Sequence, residues 1–368
     1  MSSISLCMIV RDEEHYLGRC LESFEGIVDE VIVVDTGSVD RTVEVAERYR
    51  AKVTSWPWCD DFSAARNESL HHAKGDWVIW MDADDTLPQG EGSKLRRLSD
   101  IERKYALTFT IESPEQDGSV QSRFPQIRMF PNHAGITFSQ PVHETLVPSL
   151  NQRRIDILAT DVRVLHTGYA TPGVVSRKYD RNFHILQKWL VHHPDDLPGQ
   201  YHLGNHLYQR SQLDEAIKVF ERIITTPQCR ITDPYHFVLA SVYLGRAYVR
   251  KGEIETATSV LEEARRVSPR YSFLNRTLGE CYLRLGEVGK AEVCFKTAIM
   301  PPEPTEILPE YGRAIYEAYV SLGLIAEERG EWREAATWYE EALQRNRMAK
   351  EVRLRLQECL KKVSGTFL

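Results

Sequence analysis

The chain has 368 residues, of which 42% are hydrophobic and 27% are charged, and its formal net charge is -7. A chain of this length is expected to fold as two or more domains with a substantial core. The negative balance argues against a protein that binds nucleic acid or an anionic membrane through its overall charge.

Cysteine usage and the N-terminal residues bear on the compartment. The seven cysteines are scattered, with no CxxC pair and no zinc-binding spacing, so we expect reduced thiols in a cytoplasmic protein. The apolar residues 3–10 are too short for a signal peptide and are followed at once by four charged residues. No apolar stretch of the sequence reaches the length that a membrane-spanning helix needs.

Short apolar runs alternate with helical patterns over the first 81 residues. The apolar runs predict strands at 4–10, 30–35, 52–55 and 77–81. The segments between them predict helices at 13–25, 41–49 and 62–73. Strands that alternate with helices predict an open α/β sheet, which binds its ligands at the carboxyl ends of the strands.

Three of the predicted strands end in polar residues. Arg11 follows the first strand, Asp35 ends the second, and Asp82 and Asp84 follow the fourth. Residues i and i+2 of a strand face the same side, so Asp82 and Asp84 can contact one ligand together. Carboxylate oxygens are the ligands that Mg2+ or Mn2+ prefers, whereas the plainer interpretation is a polar turn after each strand. Because three strands deliver such residues to one edge, a functional site is favoured.

Four ordered motifs carry a family resemblance. In chain order they are residues 7–14 (CMIVRDEE), 33–38 (VVDTGS), 58–67 (WCDDFSAARN) and 82–84 (DAD). On these motifs, roughly residues 4–170 resemble a family-2 glycosyltransferase with the GT-A fold. The chain is similar in particular to the bacterial branch with C-terminal tetratricopeptide repeats, which includes the sublancin-type peptide S-glycosyltransferases. The resemblance implies nucleotide-sugar binding and metal-dependent glycosyl transfer.

The resemblance assigns one group of residues to the donor nucleotide. It implies that Asp35 binds the base or the ribose, and that Val10 and Arg11, with the acidic residues after them, flank the same pocket. It also implies that Arg66 and Asn67 face the nucleotide and its diphosphate. For Arg66 the plainer interpretation is a cation on a helix surface, and for Asp35 it is a strand-end turn.

A second group is assigned to the metal and the leaving group. The resemblance implies that Asp84 binds the metal, Mn2+ or Mg2+, and that Asp82 contacts the ribose or a metal-bound water. A divalent cation and an arginine can together neutralise a departing diphosphate. His166, at the end of a strand predicted over 162–165, matches a recurring family His-x-Gly-Tyr and is either a further metal ligand, a diphosphate contact or a structural histidine.

The acceptor side is assigned to a His-Glu pair. An inverting transfer needs a group that takes the acceptor proton while the nucleophile attacks the anomeric carbon. Glu144 is the candidate base, and His143 is expected to orient it or to contact the sugar. Which member of the pair is the base stays open.

From about residue 200 the chain changes to a repeat. Leu-Gly pairs recur at 244–245, 278–279 and 322–323, and the first two are 34 residues apart, the period of a tetratricopeptide repeat. Residues 350–363 predict a capping helix. We therefore expect a GT-A domain over 1–172, a linking helix within 173–198, and an all-α tetratricopeptide-repeat solenoid over 199–368.

The predicted function is a metal-dependent inverting glycosyltransferase. It moves a hexose from a nucleotide sugar, UDP-linked by the default of the family, to a peptide or protein side chain. Repeat arrays commonly bind polypeptides, so the repeats are expected to bind the acceptor or a partner, or to form a homodimer. Two alternatives stay open: a cell-surface glycan as the acceptor, and a repeat scaffold whose transferase domain is inactive.

Overall fold

The structure is a computed structural model that describes residues 2–114, 120–132, 135–167, 172–226, 229–301, 310–346 and 349–365. The chain divides into two compact units, Met1–Trp189 and Leu190–Leu368. Each unit is built around its own hydrophobic core.

The first unit begins with four parallel strands. They are β1 (Ile4–Val10), β2 (Glu30–Asp35), β3 (Lys52–Ser55) and β4 (Trp77–Met81). All four begin and end at the predicted residues, and β1 lies between β2 and β4 in the sheet. The helices that connect them are somewhat shorter than predicted: α1 (Leu17–Ser23), α2 (Thr42–Arg48) and α3 (Phe62–His72).

Further strands extend the sheet beyond β4. The elements after β4 are β5 (Asp85–Thr86), α4 (Glu91–Leu98), β6 (Tyr105–Pro114), β7 (Val120–Pro131), α5 (Val147–Arg153), β8 (Asp156–His166) and α6 (Pro172–His192). The sheet order is β3-β2-β1-β4-β7-β6-β8-β5, and β7 is antiparallel to both of its neighbours. Of these later strands the sequence predicts only the last part of β8.

The register of the sheet brings the polar strand ends to one edge. Val10 lies opposite Asp35 in the pairing of β1 with β2, and Met8 lies opposite Met81 in the pairing of β1 with β4. The apolar side chains of β1, β2 and β4 are largely buried, as expected for parallel strands that helices cover on both faces. The residues after β1 and β4 therefore leave the core at the same carboxyl edge.

The second unit is helical. Its helices are α7 (Leu197–Gln209), α8 (Leu213–Thr225), α9 (Cys229–Thr232), α10 (Pro234–Lys251), α11 (Ile254–Val267), α12 (Ser272–Arg284), α13 (Val288–Ala298), α14 (Glu310–Glu328), α15 (Trp332–Arg345) and α16 (Lys350–Ser364). Helices α7 and α8, α10 and α11, α12 and α13, and α14 and α15 pack as pairs. Helix α10 also packs against α7 and α12, so the first helices of successive pairs lie side by side.

Glycines allow the two helices of a repeat to approach closely. A Cβ atom added at Gly279 would lie 2.6 Å from the ring of Phe295, and one added at Gly204 would lie 2.6 Å from the ring of Phe220. Real Cβ atoms essentially never come so close to another heavy atom. The recurring glycine of the sequence motif is therefore explained by helix packing within each pair.

The predicted fold class is confirmed: a GT-A-like α/β sheet domain is followed by an all-α tetratricopeptide-repeat region. Helix α6 belongs to the first unit as far as Trp189, and the domain limits at residues 172 and 198 stay predictions. None of the described helices combines the length and the apolar character that crossing a membrane requires.

We expect the substitution Gly279→Ala to lower the free energy of unfolding by about 1–3 kcal/mol, because the new methyl group overpacks the contact with Phe295. The measurement is urea denaturation followed by circular dichroism. Gly289→Ala is the matched control: Gly289 lies in α13 with no neighbour within 4 Å of an added Cβ, so its substitution is expected to be neutral or slightly stabilising. Equal effects of the two substitutions would contradict this explanation of the glycine motif.

Candidate active site

Four side chains of the metal-ligand type meet beside the end of β4. Asp82 and Asp84 follow β4, Asp85 begins β5, and His166 ends β8. One ligand atom from each of the four lies within 4.8 Å of the others. The structure therefore brings together three of the predicted site residues, Asp82, Asp84 and His166, and adds Asp85. We call these four residues the acidic cluster.

Asp85 is the most buried member of the acidic cluster, with 0% of its surface exposed. Its carboxylate forms an ion pair with Arg128 Nη1 at 2.9 Å and lies 2.9 Å from His166 Nδ1. It also accepts a hydrogen bond from the backbone N–H of Asp82 at 3.0 Å. A buried carboxylate needs such partners, since burying an unpaired charge is very unfavourable. Asp85 thus joins the end of β4 to β7 and β8.

Two arginines lie against the ring of Trp80. The guanidinium carbon of Arg66 is 4.1 Å from the ring centroid, and that of Arg128 is 3.9 Å from it. Both arginines reach Asp82, with Nη2 of Arg66 at 2.7 Å and Nη2 of Arg128 at 3.6 Å. Because an aromatic face attracts cations, Trp80 holds both guanidinium groups where they compensate the charge of Asp82.

Arg66 also connects the acidic cluster to the predicted base. Its Nε donates a hydrogen bond to Glu144 at 2.6 Å, while Nη2 donates one to Asp82 at 2.7 Å. The side chain of Glu144 is 13% exposed, so part of it faces solvent. In the described part of the chain, Nη1 of Arg66 makes no hydrogen bond to another residue. The residues predicted for the leaving group and for the acceptor therefore belong to one ion-pair network.

The environment moves the pKa values of the two predicted aspartates in opposite directions. Burial alone would raise the pKa of Asp82, but the charges of Arg66 and Arg128 hold it well below its usual range. The pKa of Asp84 is raised, first by burial and then by the charges of Asp82 and Asp85, against the opposing effect of His166. The protein thus compensates Asp82 with its own arginines and leaves Asp84 short of positive charge.

The same carboxylates also change the pKa of His166. Burial alone would lower the pKa of His166, but its hydrogen bond to Asp85 and the charge of Asp84 raise it above the usual value. Nδ1 of His166 lies 3.4 Å from Asp84, compared with 2.9 Å from Asp85. His166 is therefore held by Asp85 within reach of Asp84.

Glu13 and Lys178 also belong to this environment. Burial, followed by the charge of Asp84, raises the pKa of Glu13 to about 7, and Lys178 acts in the opposite direction. Nζ of Lys178 lies 3.9 Å from a carboxylate oxygen of Asp84. The sequence places Glu13 only among the acidic residues that flank the pocket and assigns no role to Lys178, which lies far along the chain.

The predicted donor-side residues form a separate group. The carboxylate of Asp35 accepts a hydrogen bond from the backbone N–H of Ser38 at 3.1 Å, which is the turn geometry of the plainer interpretation. Val10 is buried next to it in the sheet, and Arg11 is exposed. Within the described residues, none of these three side chains shares a hydrogen bond or an ion pair with the acidic cluster. Their role in donor binding stays a prediction.

The next two predicted residues are Asn67, whose side chain bonds to the backbone, and His143, whose side chain is exposed. Asn67 was expected to face the nucleotide, but its side-chain amide exchanges two hydrogen bonds, of 2.9 and 2.8 Å, with the backbone of Phe138. It therefore holds the segment around Phe138 against α3, and its role at the nucleotide stays a prediction. His143 is exposed and has a positive φ of 58°, whereas its neighbour Glu144 is bound to Arg66.

Sequence reasoning misses Asp85 and Arg128. Strand alternation singles out Asp82 and Asp84, but the chain turns after β4, with the N–H of Asp85 bonded to the carbonyl of Asp82 at 3.1 Å. This turn brings Asp85 back into the acidic cluster. A run of three carboxylates in four residues was the available signal for Asp85. Arg128 lies on β7, a strand that the sequence does not predict, so no signal pointed to it.

The α/β sheet with an acidic edge and the paired helices each match a known protein family. Residues 5–158 match the glycosyl transferase family 2 model, and residues 244–298 and 318–351 match tetratricopeptide repeat models. Residues 5–158 are therefore similar to glycosyl transferase family 2 and the two later segments to tetratricopeptide repeats, as the sequence motifs indicate.

Particular relatives match over part of their length. A TPR repeat-containing protein of Synechococcus elongatus is 39% identical over 224 residues, which are 59% of this chain and 55% of the relative. The SPbeta prophage-derived glycosyltransferase SunS of Bacillus subtilis is 22% identical over 263 residues, 71% of this chain and 62% of the relative. The chain thus spans between 55% and 62% of the length of these two curated relatives.

Solved structures resemble the chain only weakly. A structure of S. aureus TarS, residues 1–349, in complex with UDP-GlcNAc covers 79% of this chain and 90% of its own, with 16% sequence identity and a TM-score of 0.40. A likeness of this strength carries no conclusion about the function of the present chain.

We expect Arg128→Met to destabilise the first unit by about 3–5 kcal/mol, because it removes the arginine that pairs with the buried carboxylate of Asp85. The measurement is hydrogen exchange with mass spectrometry, in which peptides from β4 and β7 should lose protection while peptides from α12 should not. The double substitution Arg128→Met with Asp85→Asn should recover part of the loss, since it also removes the unpaired charge. Unchanged protection of β4 in the single variant would contradict this account of the network.

Proposed function

We propose that the chain is a metal-dependent, inverting glycosyltransferase that moves a hexose from a UDP-linked donor to a side chain of a peptide or protein. The observation that carries the proposal is the bridge made by Arg66, which binds Asp82 of the acidic cluster with one nitrogen and Glu144 with another. Glycosyl transfer requires a site for the leaving group and a base beside the acceptor. In this family 2-like domain, one guanidinium group contacts the residues proposed for both.

The acidic cluster fits a hard divalent cation. Its members are three carboxylates and one imidazole within 4.8 Å, and carboxylate oxygens suit Mg2+ or Mn2+. Asp84 is the principal ligand in this proposal because, unlike Asp82, it has no arginine partner in the described structure. Asp85 and His166 complete the set. When bound, such a cation supplies charge that neutralises the diphosphate of the leaving group.

Arg66 is proposed to bind the leaving group in addition to holding the ion-pair network of Asp82 and Glu144 together. Its Nε and Nη2 are bound to carboxylates, and Nη1 is left to donate to a diphosphate oxygen. Asp35, at the end of the neighbouring strand β2, is proposed to bind the base or ribose, with Val10 and Arg11 beside it. The donor would then lie along the carboxyl edge of the sheet, where open α/β sheets bind ligands.

Glu144 is proposed to act as the general base of the transfer step. Its carboxylate accepts the proton of the acceptor thiol or hydroxyl while the sulfur or oxygen forms a bond to the anomeric carbon. The bond between that carbon and the diphosphate oxygen breaks, and the nucleoside diphosphate leaves with the electron pair. Attack from the face opposite the leaving group inverts the configuration at the anomeric carbon. Exposed His143, next in the chain, is proposed to contact the sugar or the acceptor.

The repeats are proposed to bind the acceptor polypeptide, as helical repeat arrays commonly do. A homodimer through the repeats is a further part of the proposal. All seven cysteines are free thiols, which favours a reducing, cytoplasmic compartment. Intact-mass analysis of peptide products, compared with labelled glycan products, separates a polypeptide acceptor from a glycan acceptor.

We expect Asp84→Asn to reduce hydrolysis of the nucleotide sugar about 100-fold or more, because it removes charge from the proposed cation site. The assay is release of the nucleoside diphosphate from a panel of nucleotide sugars, with Mn2+ and with a chelator. Asp161→Asn is the matched control, since Asp161 is an exposed aspartate of the same unit that pairs with Lys94. An inactive wild type with every donor would instead favour the scaffold alternative.

We expect Glu144→Gln to reduce transfer to a serine-containing peptide about 100-fold or more, which is the usual contribution of a general base. Transfer to a cysteine-containing peptide should fall much less, because a thiol with a pKa of about 8.5 needs less help to ionise. The measurement is mass spectrometry of the two peptides in competition, with donor hydrolysis followed in parallel to detect damage to the Arg66 network. Equal losses for both peptides would count against Glu144 as the base.

A further inference from the structure

The two arginines of the acidic cluster are fixed cations. Arg66 lies 2.7 Å from Asp82, Arg128 lies 2.9 Å from Asp85, and neither arginine side chain is more than 5% exposed. A buried guanidinium group that binds a carboxylate cannot leave without stranding an unpaired charge in the protein interior. We therefore expect these two contacts to persist when the cluster binds a ligand.

Asp84 has partners of another kind. One of its carboxylate oxygens lies 3.4 Å from Nδ1 of His166, and the other lies 3.9 Å from Nζ of Lys178. In the described part of the chain, these are the basic side chains within ion-pair distance of Asp84. The contact of Lys178 is much longer than the 2.7 Å contact between Arg66 and Asp82, so the ammonium group is held loosely.

The side chain of Lys178 reaches solvent, which the buried arginines do not. It is 35% exposed and projects from the first half of α6. A lysine ammonium is a compact, strongly hydrated charge on a flexible four-carbon stem, so it can leave a carboxylate by rotation of its own side chain. The charge of Lys178 also acts on Glu13, which offers the departing ammonium a second carboxylate nearby.

The main chain at Asp84 is anchored independently of Lys178. Its backbone carbonyl accepts two hydrogen bonds from Thr167, one from the N–H at 3.1 Å and one from the hydroxyl at 3.0 Å. An exchange of cations at Asp84 therefore requires movement of the Lys178 side chain and leaves the backbone of Asp84 in place.

A divalent cation and Lys178 compete for the same carboxylate. A cation bound to the oxygen that faces Lys178, at a metal–oxygen distance of about 2.1 Å, would lie within about 6 Å of Nζ. Asp84 is only 8% exposed, so water screens the repulsion between the two positive charges incompletely. Binding of the divalent cation therefore favours departure of the ammonium group.

We propose that Lys178 is a tethered competitor of the divalent cation, whose ammonium group pairs with Asp84 and is displaced when the metal binds there. The use of the acidic cluster as a metal site rests on the proposed function, whereas the contact between Lys178 and Asp84 does not. Such a competitor keeps Asp84 paired at low metal concentration and lowers the affinity of the cluster for metal. Lys178 thereby sets the metal concentration at which the proposed transferase becomes active.

Mn2+ binding to the full chain tests the proposal, and the readout is the electron paramagnetic resonance signal of free Mn2+. We expect Lys178→Gln to bind Mn2+ about tenfold more tightly than the wild type, because the competing charge is gone. Lys178→Arg should bind Mn2+ no more tightly than the wild type, since a guanidinium group pairs with a carboxylate at least as well. Equal Mn2+ affinity of the wild type and Lys178→Gln would overturn the proposal.

The matched control is Lys188→Gln. Lys188 lies on the same helix and pairs at 2.6 Å with Asp60, a carboxylate outside the acidic cluster. This substitution changes the net charge by the same amount and should leave the Mn2+ affinity within about twofold of the wild-type value. An equal gain of affinity in both variants would show that net charge alone sets it, and would also overturn the proposal.

A second measurement uses the wild type alone and so does not depend on the folding of a variant. Saturating Mn2+ should increase acetylation of Lys178 by an activated acetate ester about twofold or more, because an amine released from its carboxylate is more accessible to the reagent. Acetylation of Lys188, read from its own peptide by mass spectrometry, should stay the same. Unchanged acetylation of Lys178 would contradict the exchange.

Donor hydrolysis separates this proposal from the proposed function. A wild type that hydrolyses a nucleotide sugar with Mn2+, together with a Lys178→Gln variant of unchanged Mn2+ affinity, would refute the competitor and leave the transferase standing. A gain of Mn2+ affinity in Lys178→Gln, with no hydrolysis of any donor by the wild type, would refute the transferase and leave the competitor standing.

Discussion

The guanidinium groups of Arg66 and Arg128, held against the ring of Trp80, are the interaction on which the first unit depends. They place positive charge beside carboxylates that the sheet delivers to its carboxyl edge. Without them, Asp82 and the fully buried Asp85 would repel each other in a poorly solvated position. Because Arg66 comes from α3 and Arg128 from β7, the same interaction ties a helix, the parallel strands and the antiparallel strands together. Arg66 also binds Glu144 and so holds this carboxylate at the site.

Much of the fold could be predicted because its physical signals are local. Strands β1 to β4 are continuous apolar runs, and the structure begins and ends them at the predicted residues. The paired helices carry a recurring Leu-Gly signal, and its glycine is explained by the close contact between the two helices of each pair. Strand β7 could not be found in this way, since it includes Pro125 and mixes polar with apolar residues instead of forming a continuous apolar run. Its place depends on pairing with β4 and β6, which no local pattern encodes.

In the candidate site, too, the residues with a local sequence signal were predicted and those placed by tertiary contacts were not. Asp82, Asp84 and His166 were identified because strand ends and motif matches point to them, and the structure places them together. Asp85 and Arg128 were missed because a turn after β4 and an unpredicted strand put them there. Asn67 shows what a motif does not reveal: its side-chain amide bonds to the backbone of Phe138, a contact that no sequence spacing predicts. Spacing reveals which residues can share a face, and only tertiary structure decides which partners they take.

The pairing of β5 with β8 has a consequence for the order of folding. It brings Asp85 against His166 across 81 positions of sequence, the longest of three separations: Ser5 and Glu30 in the pairing of β1 with β2 are 25 positions apart, and Ile4 and Trp77 in the pairing of β1 with β4 are 73 apart. Because β8 is the last strand of the sheet along the chain, the acidic cluster is complete only when β8 has joined the other strands. During synthesis the three aspartates leave the ribosome long before their histidine, and they remain hydrated until β8 arrives. Assembly of this site is therefore a late event, and a chain stopped before residue 166 would contain the parallel strands but not the complete cluster.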